Sequence, residues 1–299
     1  MKKILLSTAI IVATAGVAAA EVTLSGSGRF GIVNFDNAGI GAADTVISYR
    51  LRFNVNAKLE SDNGVTYGGR IRFQNTEVDD TSPFSPAMLY VESNGLRVEV
   101  GNANSAYDSV ALMYNPELGY RGTSFGDPQG SYFGFSSGPY AAGRVGIYVA
   151  YSVSGVNLKA SYIQPNQFDD SSTDDESSIA IDYTFGQVTL AAAAANNGGG
   201  IVGNDLVFVG AAYAFSDLGT VGINYNDNGI VPETYTLYGN YKFGATTVGA
   251  YVTDADVAGA DTAYGIGASY DLGGATLAGS IQSGFSGDVV TDLGVSMNF

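Results

Sequence analysis

The 299-residue chain contains no cysteine and no histidine. Without cysteine it has no disulfides, and without histidine it has none of the Ser-His-Asp triads, Cys-His dyads or histidine-ligated zinc and iron sites on which many enzymes depend. A hydrolase would need a Ser-Lys pair or two paired carboxylates. Lys159 and Lys242 are the lysines of the second half of the chain, and neither belongs to a Ser-x-x-Lys arrangement. These absences argue against an enzyme.

Basic residues and long apolar runs are also scarce. The chain has 13 basic residues against 29 acidic ones, and so acidic a surface disfavours binding to nucleic acid. After the N-terminal segment, no stretch offers the roughly 20 consecutive apolar residues of a membrane helix. The 20 tyrosines and 15 phenylalanines argue against a disordered chain. The composition therefore predicts an ordered, acidic protein without a helical membrane span.

Residues 1–20 have the organisation of a secretory signal peptide. Two lysines form a basic start, residues 4–17 form an apolar core, and three alanines form a small-residue cleavage site. An uncleaved membrane anchor is the alternative, but the stretch is short for a span. We expect cleavage before Glu21 and a single domain over residues 21–299. The mature chain then has a formal net charge of 11 − 29 = −18.

Apolar and polar residues alternate along most of the mature chain, as they do in strands whose two faces meet different surroundings. In residues 49–59, for example, apolar side chains alternate with arginine, asparagine and lysine. The alternation predicts sixteen strands, with approximate bounds 21–34, 46–60, 65–76, 86–93, 95–103, 142–153, 155–164, 177–185, 187–195, 204–215, 219–226, 232–243, 245–253, 261–271, 274–282 and 288–299.

The connections between these runs alternate in length. Short turns that carry glycine, as hairpins require, occur at 61–64, 93–95, 154–155, 185–187, 216–219, 243–245 and 272–274. Short turns on one side and long loops on the other indicate an outer-membrane barrel. A soluble β-sandwich is the alternative, but its Greek-key connections give no reason to sort loops by length. We therefore predict an all-β, sixteen-stranded antiparallel transmembrane β-barrel.

Arginine recurs at every second position of two neighbouring runs, as Arg50 and Arg52 before one turn and as Arg70 and Arg72 after it. A basic side chain on the lipid face near the bilayer midplane costs about 2–4 kcal/mol. The arginines must therefore face the lumen, as must others of the same parity. The predicted basic patch consists of Arg29, Arg50, Arg52, Arg70, Arg72 and Arg97. Alternatively, these residues only keep a water-filled wall hydrated.

The connection at about 104–141 is longer than a barrel rim requires, and long loops without strands are usually functional or disordered. This one is rich in apolar and aromatic residues, so we expect it to fold inward and pack against the inner wall. It would bring Asp108, Glu117 and Asp127 opposite the arginines and create a constriction whose charges govern selectivity. Ordinary solvation at the outer rim is the alternative for these carboxylates.

A second polar loop carries the acidic run DDSSTDDE at 169–176. The run is expected to be a solvated external tip. A divalent-cation site is the weaker hypothesis, because carboxylate oxygens suit calcium but the spacing is not that of an EF-hand.

Over its whole mature length the sequence resembles the trimeric general porins of Gram-negative bacteria, in particular those of purple photosynthetic bacteria. The resemblance rests on the order of the signal peptide, the sixteen runs, the arginine cluster, the long loop and the final VSMNF with its terminal Phe299. It implies a homotrimer in the outer membrane, surrounded by membrane lipid and lipopolysaccharide. It also implies passive diffusion of ions and small hydrophilic solutes through each barrel.

The resemblance further implies that acidic residues of the long loop face arginines of the wall. On this chain those are Asp108, Glu117 and Asp127 opposite the six arginines named above. It makes the same three carboxylates candidate calcium ligands, although no cofactor is required. The acidic charge of the mature chain predicts a weak preference for cations. A channel selective for sugars or phosphate, and an adhesin or anchor with a plugged lumen, are the alternative functions.

Overall fold

All sixteen predicted strands are present, and their bounds differ from the predicted ones by at most three residues. The computed structural model describes residues 20–39, 42–78, 84–139, 143–169 and 173–299, so nearly all of the predicted signal peptide lies outside the described residues. The strands are β1 Glu21–Phe35, β2 Thr45–Glu60, β3 Thr66–Thr76, β4 Met88–Ser93, β5 Leu96–Gly101, β6 Val145–Val153, β7 Val156–Gln164, β8 Glu176–Phe185, β9 Val188–Asn196, β10 Leu206–Ala214, β11 Gly219–Asp227, β12 Thr234–Phe243, β13 Thr246–Ala255, β14 Ala263–Asp271, β15 Ala275–Ser283 and β16 Val289–Asn298, and a 3-10 turn occupies Gly198–Gly200.

Each strand pairs antiparallel with its neighbours in sequence, and β1 also pairs with β16, so the sheet closes into a barrel. In the closing seam Ile32 lies opposite Leu293. Beyond β16, Phe299 N donates to Gly26 O at 3.0 Å, and Gly26 N donates to Phe299 O at 2.6 Å. Because lipid offers no hydrogen bonds to an unpaired edge, a sheet in a membrane has to close in this way. The predicted sixteen-stranded antiparallel barrel is confirmed.

The short turns at one end of the barrel have the backbone geometry that tight hairpins need. Asn94 and Gly95 have φ of 50° and 81°, and Ser154 and Gly155 have φ of 50° and 82°. Two successive residues with positive φ form the turn that matches the right-handed twist of the flanking strands. These turns hold β4 to β5 and β6 to β7 with no further loop residues.

The two faces of the barrel wall have opposite character. In β8 the exposed Ile179 and Ile181 alternate with the buried Ser178 and Asp182. Leucine, isoleucine, valine and tyrosine are likewise exposed on the outer surface of most other strands. This is the reverse of a soluble sheet, and it is the arrangement that a surrounding of lipid requires. No helix in the described part of the chain is long and apolar enough to cross a membrane.

The largest hydrophobic core lies inside the barrel, beneath the long connection between β5 and β6, which we call the inward loop (residues 102–144). Its Tyr107 and Met113 are fully buried and belong to one cluster with Ala191 and Ala193 of β9 and with Phe208 of β10. A wall that faced water would carry polar side chains at these positions. The alanines therefore mark the part of the inner wall that the inward loop covers.

The tip of the inward loop meets the barrel at the closing seam. There Gly31 of β1 lies opposite Gly294 of β16, and the ring of Tyr120 covers both. A Cβ atom on Gly31 would lie 2.6 Å from Gly294 Cα and 2.8 Å from Tyr120 Cζ, and one on Gly294 would lie 2.6 Å from Tyr120 Cγ. The seam consequently has no room for a side chain at either position.

We expect Gly31→Ala to destabilise the barrel by about 1–3 kcal/mol, the usual range for overpacking, because neither the opposite backbone nor the ring has space to move. Gly28→Ala is the matched control on the same strand, since a Cβ there would lie 3.6 Å from Met297 Cγ, an ordinary contact. Urea unfolding of both variants in lipid vesicles measures the difference. Equal stability of the two variants would contradict the packing described here.

Candidate functional site

The inward loop is fixed to one side of the inner wall by hydrogen bonds along its outgoing half. Ala106 N donates to Ser161 Oγ of β7 at 2.9 Å, and further along Asn224 Nδ2 of β11 donates to Leu112 O at 3.0 Å. At the tip, Tyr120 N donates to Asp292 Oδ1 of β16 at 3.0 Å. The outgoing half thus follows the inner wall from β7, past β11, to the closing seam at β16.

The returning half of the inward loop is fixed in the same way. Phe125 N donates to Tyr251 OH at 3.1 Å, and Gln129 N donates to an Asn228 side-chain oxygen at 2.9 Å. Phe133 N then donates to Glu176 Oε2 at 2.8 Å. Because loop backbone groups find partners on the wall, the inward loop is held as a shelf on one side of the barrel. The predicted inward fold of this loop is present.

The opposite side of the lumen carries the arginines of β1, β2 and β3, which we call the arginine wall (Arg29, Arg50, Arg52, Arg70 and Arg72). Strand register brings them together, since Arg29 lies directly opposite Arg50 and Arg52 lies opposite Gln74. Arg52 Nε and Nη2 both donate to Gln74 Oε1, at 2.9 and 2.6 Å. The amide therefore holds this guanidinium group close to the wall.

Asparagines hold the next two guanidinium groups. Arg70 Nε donates to Asn56 Oδ1 and Arg72 Nε donates to Asn54 Oδ1, each at 2.8 Å. Both asparagines lie on β2 directly opposite their arginines. Neutral amides orient these side chains without cancelling their charge, so the arginine wall stays basic.

Arg97 differs from the residues of the arginine wall because its charge is paired with glutamates. It lies next to the short turn between β4 and β5, and its guanidinium group forms ion pairs with Glu92 at 2.9 Å and Glu99 at 2.7 Å. It also stacks on the Tyr90 ring, 3.8 Å from the ring centroid. The sequence pattern assigns Arg97 to the basic patch only because it alternates with lipid-facing residues. Alternation tells which face of the strand a side chain points from, but not how high along the barrel it lies.

The inward loop itself supplies a basic residue that the sequence reading left out. Arg121 lies at the loop tip, and Arg29 Nη1 donates to its carbonyl oxygen. Each of these two guanidinium groups repels the other. The alternating pattern of strands gives no signal for a loop residue that crosses the lumen. The contact between Arg29 and Arg121 could therefore be found only from the three-dimensional structure.

The three predicted carboxylates have different surroundings. Glu117 lies at the loop tip within electrostatic reach of Arg29 and Arg50, as expected; burial nevertheless raises its pKa to about 7, against the lowering effect of the two arginines. Burial, together with the charge of Glu117, raises the pKa of Asp127 to about 8. Asp108 instead accepts a hydrogen bond from Tyr114 OH. Glu117 is thus the carboxylate that arginines of the wall attract, whereas the charge that acts on Asp127 is that of Glu117.

The structure offers no gathered ligand set to the calcium hypothesis. Within the described ranges, no three aspartate, glutamate, cysteine or histidine side chains lie where they could hold one metal ion. Calcium binding by Asp108, Glu117 and Asp127 therefore stays a prediction.

The acidic run at 169–176 is described only in part, since residues 170–172 lie outside the described ranges. Its last member does not fit a solvated tip. Glu176 is fully buried at the start of β8, and its Oε2 accepts hydrogen bonds from the backbone N–H groups of Phe133 and Gly199, both at 2.8 Å. This carboxylate ties the inward loop to the neighbouring external loop, so the expectation was wrong for Glu176.

Three comparisons place this barrel among known proteins. Residues 7–283 match the sequence model of the Gram-negative porins. A porin of Fuscovulum blasticum is 49% identical over 292 residues, covering 93% of this chain and 100% of the relative. A porin of Rhodobacter capsulatus is 28% identical over 316 residues, with the same coverage. Among solved structures, a triple mutant of the Rhodopseudomonas blastica porin matches with a TM-score of 0.89 and 48% identity, over 93% of this chain and 100% of its own.

The raised pKa values of the loop carboxyls predict a pH-dependent lumen. Between about pH 5.5 and about pH 9, Glu117 and Asp127 lose their protons and add two negative charges. We therefore expect the preference for cations over anions to rise through this interval, as measured by reversal potentials in planar bilayers. The variant with both Glu117→Gln and Asp127→Asn should show a flat profile. A profile identical to that of the unmodified protein would exclude these two groups as the cause.

Proposed function

The chain belongs to the Gram-negative porin family and forms a channel through the outer membrane, and we propose that passage is limited to a slit between the arginine wall and Glu117 on the inward loop. The expectations of a general diffusion channel, of an outer-membrane location and of a protein that is not an enzyme are confirmed. The control of passage by particular residues is a proposal.

One observation carries the proposal. The inward loop is bonded to the wall from β7 round to β16, while the arginine wall lies on β1 to β3. Arg29 and Arg72 are themselves bonded to the inward loop, at Arg121 and Ser137. A solute that crosses the barrel must therefore pass between the fixed loop and the remaining guanidinium groups of the row, those of Arg50, Arg52 and Arg70. Charges in such a confined space act on a passing ion more strongly than charges in open water do.

The loop tip brings opposite charges near each other across the slit. Glu117 is attracted by Arg29 and Arg50, while Arg52 and its neighbours keep their charge beside neutral amides. A field directed across the lumen results, and it orients polar solutes and water. Asp127 contributes through its repulsion of Glu117. Asp108 supports the loop through Tyr114.

Three further features belong to this proposal. The first is cleavage of residues 1–20 before the mature domain inserts. The second is a homotrimer in contact with membrane lipid and lipopolysaccharide, supported by the apolar outer surface of β1 and β4, where Leu24 and Leu89 are exposed by 67% and 64%. The third is that Asp108, Glu117 and Asp127 bind calcium, for which the pore carboxylates supply oxygen ligands.

The test of the general diffusion channel is single-channel recording with a size series of neutral solutes. Small solutes should enter and lower the conductance, whereas solutes above a cut-off should leave it unchanged. The cut-off then reports the width of the slit. Block that saturates at low solute concentration with one sugar would favour the solute-selective alternative.

Replacing Arg50 and Arg52 by alanine should raise the conductance and admit larger neutral solutes, because both side chains project from β2 into the slit. The single-channel conductance and the cut-off in the same solute series measure the change. Arg97→Ala is the matched control, since this arginine is ion-paired near a short turn and should leave the cut-off unchanged. An unaltered cut-off in the double variant would show that the arginine wall does not line the narrowest point.

In a potassium chloride gradient the channel should prefer cations weakly, because the acidic residues of the mature chain dominate the wide openings on both sides of the slit. The preference should fade in about 1 M salt, where screening acts over about 3 Å, and grow near 0.01 M, where it acts over about 30 Å. Reversal potentials at the two salt concentrations test both statements. An anionic sign at low salt would mean that the arginine wall, rather than the openings, sets selectivity.

A further inference from the structure

We propose that Arg29, Arg50 and Arg121 form a binding site for a doubly charged tetrahedral oxyanion, such as sulfate, phosphate or a phosphate monoester. The inference rests on the proposed function, because the site lies where the loop tip approaches the arginine wall. It adds a saturable anion site to a channel that otherwise passes solutes by diffusion.

These three arginines come from three separate elements, and Arg29 is the one that lies near both of the others. Arg29 on β1 and Arg50 on β2 are directly opposite each other in the strand register. Arg121 comes from the inward loop, and its carbonyl oxygen accepts a hydrogen bond from Arg29 Nη1. Arg29 is repelled by both of the other groups. Arg29 thus has two like charges near it, which costs free energy unless an anion compensates them.

No carboxylate of the described residues lies close enough to these three groups for an ion pair. The ion pairs of the described residues involve Lys58, Arg97 and Lys159 instead. The Nε atoms of Arg29 and Arg121 are buried without a hydrogen-bond partner. A buried, unpaired charged donor costs more than a paired one, so these guanidinium groups are short of acceptors.

Two glutamates act on the cluster from farther away. Glu117 attracts Arg29 and Arg50, and Glu77 attracts Arg29 and is itself affected by Arg121. Two carboxylates against three guanidinium groups leave the cluster positive. Glu117 also repels an arriving anion, so it competes with the ligand for the same two arginines.

The other arginines of the wall are less available to a ligand. Arg52 uses two of its nitrogens on Gln74, and Arg72 uses Nε on Asn54 and Nη1 on Ser137. By contrast, Arg50 has no hydrogen-bond acceptor among the described residues. Arg70 also has Nη donors to spare, since it uses Nε on Asn56, but the arginines that repel Arg29 are Arg50 and Arg121. The free donors nearest Arg29 are therefore those of Arg50 and Arg121.

The chemistry of the cluster selects the ligand class. A guanidinium group presents its N–H donors as a planar fork, which matches two oxygens of one tetrahedral oxyanion. Three such groups offer donors to several oxygens at once, whereas chloride presents a single centre and half the charge. A doubly charged oxyanion should therefore bind where chloride only passes.

The experiment uses the full protein in planar bilayers, with potassium chloride as the carrier salt and sodium sulfate added at constant ionic strength. Sulfate keeps its double charge across the working pH range, so titration of Glu117 does not alter the probe. We expect sulfate to reduce the single-channel current along a saturating curve. Inorganic phosphate at alkaline pH should act similarly, and acetate, with a single charge, should not.

Variants locate the site. Arg29→Gln and Arg121→Gln should each weaken the apparent sulfate affinity by about tenfold, as expected for the loss of one charged hydrogen-bonding group. Glu117→Gln should strengthen it, a gain that a misfolded protein would not produce. Arg97→Gln is the control, because this arginine also faces the lumen but already has two glutamate partners; it should leave the affinity unchanged.

Each contrary result overturns the proposal. A linear dependence on sulfate means that no site exists, and an unchanged affinity in both Arg29→Gln and Arg121→Gln means that sulfate binds elsewhere. Equal loss in Arg97→Gln means that overall lumen charge is responsible. The proposed function is judged separately, by the neutral-solute cut-off of the Arg50 and Arg52 double variant in chloride alone. A failed sulfate site with an altered cut-off would leave the slit in place.

Discussion

The absence of hydrogen-bonding solvent around the barrel is the constraint on which the rest of this structure depends. Every backbone N–H and C=O group at membrane depth needs a partner within the protein, so the sheet must close on itself. Closure brings β1 to β16, and the lipid around the barrel requires the outer face of the strands to be apolar. The polar residues that remain, arginines included, have only the lumen to face, where they become available for selecting solutes.

A lumen lined on all sides by polar residues would be a wide, unselective hole. The chain narrows it by placing its main hydrophobic core inside, where Tyr107 and Met113 of the inward loop pack on the alanines of β9. Packing alone does not fix the loop tip. Asp292 holds the backbone of Tyr120, and glycines at the seam let its ring approach. The same contacts set the position of Glu117, three residues before Tyr120, so the stability of the loop and the width of the slit are coupled.

The fold was largely predictable because its physical cause is periodic. An alternation of two residues per repeat fixes which side chains face lipid, and the energetic cost of arginine in lipid turns that pattern into a statement about Arg50 and Arg52. Position along the barrel and the path of a loop leave no such periodic trace. Arg97 points to the same face as the arginine wall but is paired with Glu92 and Glu99. Arg121 lies in a loop, where no strand alternation applies. The run of alanines in β9 was a usable signal for the docked loop, since apolar residues at lumen-facing positions need a cover.

Two charge distributions act on a passing ion, the acidic surplus of the chain and the arginine wall, and they act over different distances. We expect the acidic surplus to act mainly at the wide openings, where water and salt screen it within about 8–10 Å at ordinary ionic strength. The arginine wall acts at contact, beside a loop that excludes part of the water, so its field is screened less. We therefore expect an ion to meet a negative approach and a positive passage. On the proposed arrangement, a cation is concentrated at the opening and repelled in the slit, whereas an anion is rejected at first and held once inside. Both steps then act in series on the conductance, so we expect that net charge alone does not determine what this protein lets through.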